Sequence, residues 1–346
     1  MNPLVIVWAM LAAVYADSLP HGPSYDNSGR WSNLTAVGTG PVQEHGTAAT
    51  TWDLYVLGGI SASNSTGPGK PSFASRRDVS AYNYDTGLWR QIPDMPVALT
   101  NPNVAVVDDN VYVLGGLADN GKGPFLNYST ACFVYETLKK EWTVLQHMPD
   151  EQGRGGAAMG VHGWQIYLAG GLRSSSLAAG GPQESSNLVS VYDTLTGQWS
   201  ILPPLPEPRD HAGGVLVHHK FYVVGGRYQG YGNVQDTVWV INLHHTVEGW
   251  SPKSRMPTAR AGLAVGVIDH RIVAFGGEGN PAYSTGVFPQ VEAYDIHYDR
   301  WTKLDDMPIP RYGMTAGSVK GAILIPGGGL VTGGAKPVAL FSAFSF

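Results

Sequence analysis

Short apolar runs capped by paired glycines punctuate this chain from one end to the other. Tyr55-Val56-Leu57 leads into Gly58-Gly59, Tyr112-Val113-Leu114 into Gly115-Gly116, and Tyr167-Leu168-Ala169 into Gly170-Gly171. The pattern returns at Tyr222-Val223-Val224 before Gly225-Gly226, at Val273-Ala274-Phe275 before Gly276-Gly277, and at Leu324-Ile325-Pro326 before Gly327-Gly328. Steps from doublet to doublet are 57, 55, 55, 51 and 51 residues. Runs of this length, rich in β-branched and aromatic residues and closed by glycine, predict strands. Their regular return predicts a repeat architecture.

A second register runs through the same units. Tyr82, Tyr135, Tyr192 and Tyr294 each stand seven residues before Trp89, Trp142, Trp199 and Trp301. Those tryptophans and Trp250 each stand seven residues before Pro96, Pro149, Pro206, Pro308 and Pro257 respectively. The pattern resembles the Kelch motif, with a glycine doublet ending the second strand, Tyr on the third and Trp on the fourth. The fourth unit departs from it, with Ile241-Asn242-Leu243 and a longer turn before Trp250. The resemblance covers nearly the whole chain and implies an all-β, six-bladed Kelch-type β-propeller.

Six doublets are followed by only five Trp-to-Pro units. The sixth copy stands at the other end, where Tyr25-Asp26-Asn27-Ser28-Gly29-Arg30-Trp31 is a shortened Tyr-to-Trp segment. The last blade is therefore expected to take three strands from the C-terminus and its fourth from residues around 31–36. Such closure removes exposed sheet edges. Residues 17–346 then form a single propeller domain.

Composition adds little chemistry but sets the context. The balance of 22 Lys+Arg against 27 Asp+Glu gives a net charge of −5, with no basic run. Nucleic acid is excluded as a partner on that ground. Residues 1–16, MNPLVIVWAMLAAVYA, read as a secretory signal peptide cut after Ala16. The mature protein is expected to be a secreted monomer without membrane contact. Sequons at Asn33, Asn64 and Asn127 fit glycosylation in that pathway. Cys132 is the only cysteine, so no intramolecular disulfide forms; mid-run, it reads as a buried structural thiol.

Loops after the second strands are long and those between first and second strands are short, so one face holds most of the sequence variety. Function is expected there. The loops entering the innermost strands carry Glu44-His45, Asn101-Pro102-Asn103, Arg154-Gly155-Gly156, Arg209-Asp210-His211, Arg260-Ala261-Gly262 and Arg311-Tyr312-Gly313 to the rim of the axis. His211, Arg209, Arg260, Arg311 and Tyr312 are the candidate catalytic donors. His45, Asn103 and Arg154 join Phe125, Tyr228, Tyr231, Tyr283 and Phe288 as candidate substrate-binding residues, a set suited to a largely apolar ligand. For the recurring arginines a structural role, pairing with neighbouring loops, is the bland alternative.

No phosphate loop, metal-ligand spacing or Gly-x-Ser-x-Gly elbow occurs, so no cofactor and no metal are expected. Some secreted Kelch propellers are copper radical oxidases, but Cys132 lies mid-strand and no ligand-bearing second domain is evident. A propeller with a signal peptide and long aromatic loops also resembles Kelch-like proteins of fungal secondary-metabolite clusters. That resemblance implies cofactor-free pericyclase activity, including hetero-Diels–Alder joining of a terpene to a tropolone-derived quinone methide. The alternative is a non-catalytic module recognising a glycan or a protein on the same face.

Overall fold

The computed structural model describes residues 28–62, 73–119, 125–176 and 181–346. The signal segment 1–16, Tyr25 and Asn64 lie outside the described residues. Six antiparallel four-stranded meanders surround a common axis. Blade 1 comprises Gly46–Ala49, Asp53–Leu57, Val79–Asn83 and Trp89–Ile92. Blade 2 comprises Val104–Val107, Asn110–Asp119, Phe125–Glu136 and Glu141–Val144. Blades 3, 4 and 5 start at Ala158–His162, Gly213–Val217 and Ala264–Ile268 and end at Gln198–Leu202, Trp250–Lys253 and Arg300–Lys303.

Blade 6 joins the two ends of the chain. Gly317–Val319, Ala322–Pro326 and Phe341–Ser345 are completed by Arg30–Asn33, which pairs antiparallel with Phe341–Ser345 so that Trp31 faces Phe344. Leu34 extends the pairing by donating its N–H to the Phe341 carbonyl. The closing strand thus begins at Arg30, one residue before the tryptophan that announced it.

The repeated residues earn their places by packing. Tyr82 and Trp89, Tyr135 and Trp142, Tyr192 and Trp199, and Tyr294 and Trp301 meet with ring centroids 4.9–5.3 Å apart. The indole N–H groups reach the preceding blade: Trp89 to Thr35 O, Trp142 to Pro93 O, Trp250 to Pro203 O and Trp301 to Ser254 O, at 2.8–2.9 Å. One side chain therefore fills the inter-blade space and ties two blades together. Inside, the doublet answers a different demand. A Cβ on Gly58 would lie 2.7 Å from the Leu99 carbonyl, and one on Gly59 would lie 2.5 Å from that of Gln43. Both also have positive φ, 59° and 87°, so no other residue fits.

Trp31 locks the closure between Phe275 of blade 5 and Phe344, with centroids 5.6 and 5.3 Å away. Trp31→Ala is expected to cost about 3 kcal/mol, read from urea unfolding. A change below about 0.5 kcal/mol would show that the velcro strand does not hold the ring.

Candidate functional site

The six innermost strands are entered through one structurally equivalent residue each: Glu44, Asn101, Gly156, His211, Gly262 and Gly313. Their backbones form a ring about the axis. Asn101 N–H donates to Glu44 O, Gly156 to Asn101, Gly262 to His211, Gly313 to Gly262 and Glu44 to Gly313, at 2.8–2.9 Å. All six have left-handed φ, 60–61° at the three glycines and 54°, 49° and 51° at Glu44, Asn101 and His211. A side chain in this conformation costs about 1–2 kcal/mol. Three blades accept that strain and three avoid it with glycine, which marks the three polar side chains as functional candidates.

A second tier sits on the ring. In each blade the residue before the ring position bridges to the residue after the glycine doublet: Gln43 with Ile60, Thr100 with Leu117, Gly155 with Leu172, Asp210 with Arg227, Ala261 with Glu278, and Tyr312 with Gly329. Its post-doublet residues are apolar in blades 1–3 (Ile60, Leu117, Leu172), charged in blades 4 and 5 (Arg227, Glu278) and glycine in blade 6 (Gly329). The axis therefore has an apolar side and a polar side, set by one column of the repeat.

The polar side is a buried network around His211. Its Nδ1 lies 2.7 Å from Asp210 Oδ1, and its Nε2 lies 3.3 Å from both Glu44 Oε2 and Asn101 Nδ2. Asn101 also donates to Glu44 Oε2 at 2.5 Å. Arg227 donates through Nε to Asp210 Oδ1 at 2.9 Å and through Nη1 to Glu278, and its guanidinium stacks 4.4 Å from the Tyr231 ring centre. Burial and the nearby Arg227 cation both oppose charge on His211, yet Glu44 and Asp210 outweigh them and raise its pKa to about 9. The imidazolium is the resting form at neutral pH. Burial works against Glu44 and Asp210 as well, but the His211 and Arg227 cations hold both carboxyls below their usual values. Burial pushes Glu278 upward against the pull of Arg227.

His45, next to the ring, has the opposite character. It is 2% exposed, neither ring nitrogen has a hydrogen-bond partner among the described residues, and burial lowers its pKa to about 4. Linkage then fixes two limbs of stability. The raised His211 contributes below pH 6.5 and loses its contribution as pH climbs to about 9. The depressed His45 contributes above pH 6.5 and loses it as pH falls towards about 4. Stability against urea is expected to peak near pH 6.5 between these limbs. His211→Gln should flatten the alkaline limb and His45→Gln the acid limb; a profile unchanged by either substitution would contradict these charge states.

Above the ring, towards the long loops, a cleft with an enclosed part of about 50 Å³ opens outward. Ile60, Phe73, Leu126 and Leu172 line it together with Thr100, Ser175, Ser176 and Gln183; Arg227, Tyr231 and Tyr312 line it as well, with Glu44, Asn101 and His211 as its floor. Tyr312 is held there by accepting the Gly334 N–H at 2.7 Å.

His211, Tyr231 and Tyr312 are thus brought together around one cleft. The arginines are not. Arg154, Arg209, Arg260 and Arg311 are at most 1% exposed and point between blades. Arg154 donates to the carbonyls of Gly170, Gln152 and Leu168, and Arg311 to that of Gly327 and to Ser342 Oγ. Arg260 binds Glu292 and Arg209 binds Glu207. Arg154 and Arg311 tie down backbone carbonyls, and Arg209 and Arg260 are held by carboxylates, so the assignment of these guanidinium groups as donors to a substrate is corrected.

Asn103 is likewise structural, spanning Leu114 O, Arg154 O and the Ala157 N–H. Phe288 is buried, Tyr283 is 57% exposed, and neither borders the cleft. Tyr228 sits half-buried in its own turn, and Phe125 begins the third strand of blade 2. Asn33 is exposed on the closing strand, and Asn127 lies half-buried between two strands. Cys132 is fully buried, its thiol pushed up to about 12 by burial. Glu44, Asn101, Asp210, Arg227 and Glu278 were missed. Their signal was present: polar side chains in a glycine column, and charges in an otherwise apolar column.

Comparison with known proteins agrees with this architecture. Residues 174–341 match the KLHDC2/KLHL20/DRC7 Kelch-repeats domain and residues 98–149 the Kelch motif. The chain is 39% identical to Kelch-like protein terF of Aspergillus terreus over 339 residues, 96% of this chain and 72% of that protein. It is 27% identical to human Kelch-like protein 34 over 73% of this chain and 38% of that protein. Among solved structures, that of YjhT superposes with a TM-score of 0.69 at 16% identity, covering 88% of this chain and 95% of the other.

Proposed function

This chain belongs to the Kelch-like protein family, and from that premise we propose that it binds small apolar substrates at the propeller axis. There it promotes a cofactor-free cycloaddition, such as an intermolecular hetero-Diels–Alder reaction, in secondary-metabolite biosynthesis. The observation that carries this reading is His211, 2.7 Å from Asp210 and 3.3 Å from Glu44, at the floor of a cleft that Ile60, Phe73, Leu126 and Leu172 line together with Arg227, Tyr231 and Tyr312. Secretion directed by residues 1–16 and glycosylation at Asn33, Asn64 and Asn127 belong to the same reading.

An oxygen-bearing diene such as a quinone methide enters with its carbonyl towards the floor. His211 Nε2–H donates to that oxygen, competing with Glu44 at its long 3.3 Å distance. Negative charge grows on the oxygen as an electron-rich alkene approaches, so the donor binds the transition state more strongly than the ground state. Six π electrons rearrange into one C–C σ bond, one C–O σ bond and one new C=C π bond; nothing leaves and no electrons are exchanged with a cofactor. Ile60, Phe73, Leu126 and Leu172 hold the alkene and exclude water, supplying proximity. Asp210 fixes the imidazole through Nδ1.

The test is conversion of a quinone-methide precursor and an electron-rich alkene by purified protein. Acceleration with one dominant stereoisomer is expected. Unchanged rate and product ratio would remove the pericyclase reading, and saturable substrate binding without them would leave a binding module.

A further inference from the structure

A second cavity lies on the other side of the ring, away from the long loops. It measures about 160 Å³, and its walls are Val104, Met159 and Val265 on the innermost strands and Leu263 and Met314 just before them, with His45, Thr47 and Thr315 as polar members. Glu44, Asn101 and His211 close it at one end. Further along the axis Val161, Leu216 and Val267 continue the apolar wall. Apart from the three ring residues, these walls share nothing with the cleft above.

We propose that this shaft is a separate small-molecule site for a compact, uncharged, ring-sized apolar ligand carrying one carbonyl or hydroxyl oxygen. Size sets the first limit, since apolar cavities of about 150 Å³ accept a benzene-sized guest. Lining sets the second. A water held beside Val104, Leu263 and Val265 finds few partners there, because the Thr315 hydroxyl is already engaged with Thr47 Oγ1 at 2.6 Å, whereas an ordered water needs two to four, so an apolar guest displaces it at little cost. The ring sets the third. His211 and Asn101 offer N–H donors at one end only, so the ligand's oxygen points at the ring. A formal charge is disfavoured in either sign, because Glu44 meets an anion and His211 meets a cation in the same small space.

The shaft reaches beyond the proposed cycloaddition, which uses the cleft. The shared roof makes the two sites communicate: an oxygen bound to His211 from below competes with its contact to Glu44. Occupancy of the shaft is therefore read at His211.

The experiment titrates wild-type protein with cyclohexanone and with cyclohexane, followed by ligand-observed saturation-transfer NMR and by the His211 ring resonances. Both probes should bind saturably, cyclohexanone about tenfold more tightly through its hydrogen bond to a charged donor, and only cyclohexanone should shift His211. Met159→Trp and Ala316→Leu, which fill the shaft from two different blades, should each weaken both probes at least tenfold. Leu126→Ala, on the cleft wall, should leave both unchanged. Absence of saturable binding overturns the proposal, as does binding that survives both filled variants or is lost in Leu126→Ala. None of these readings needs turnover, so an inactive protein in the cycloaddition assay leaves this test intact.

Discussion

His211→Gln lowers the rate of the proposed cycloaddition by about 10²–10³, the usual effect of removing one preorganised oxyanion donor. Glutamine keeps a neutral N–H donor of similar reach, so the loss measures the charge of the imidazolium rather than a hole in the floor. Substrate binding should change little, because the apolar wall at Ile60, Phe73, Leu126 and Leu172 stays in place. The effect therefore belongs in kcat. Asn101→Ala is a weaker companion: it removes the 2.5 Å hydrogen bond to Glu44 and frees that carboxylate to hold His211 more closely. A His211→Gln protein with wild-type kcat would show that the ring does not touch the reacting oxygen.

Arg227→Met destabilises the folded protein by about 3–5 kcal/mol, the range for removing one partner of a buried ion pair. Arg227 is 2% exposed and lies between Asp210 and Glu278, both at most 1% exposed. Its removal leaves Asp210, Glu44 and Glu278 around one imidazolium, with no second cation to balance them. Glu278→Gln in the Arg227→Met background should recover part of the loss, since it withdraws one of the stranded carboxyls. The pair is read by urea unfolding of both single variants and the double variant. Additive losses would mean that Arg227 and Glu278 do not couple, contrary to their direct contact.

Most of the fold was legible because the repeat imposes the same packing problem six times. The glycine doublets, the Tyr-to-Trp spacing and the stray copy at Trp31 each answer a steric need that one sequence displays repeatedly. The site was legible only in part. Rim segments were found, but within each segment the choice of side chain depends on backbone handedness. At Glu44-His45 the left-handed residue is Glu44, which leaves His45 against the Gly59 and Gly327 backbone on the shaft side of the ring. At Asn101-Pro102-Asn103 the same logic selects Asn101 and leaves Asn103 to tie down backbone. The arginines misled because a buried guanidinium serving carbonyls and a catalytic one share the same letter and the same recurrence. Columns across the repeat carried the missing information: Glu44, Asn101 and His211 stand where other blades have glycine.

A charged imidazole at the propeller axis is the central feature of the proposed site. Long-range nitrogen–proton NMR of protein labelled at histidine observes that charge directly, with His211→Gln identifying the resonance. Both nitrogens of His211 should be protonated at pH 7.5, with a titration midpoint near 9. A neutral ring at pH 7.5, titrating at or below 6.5, would contradict it.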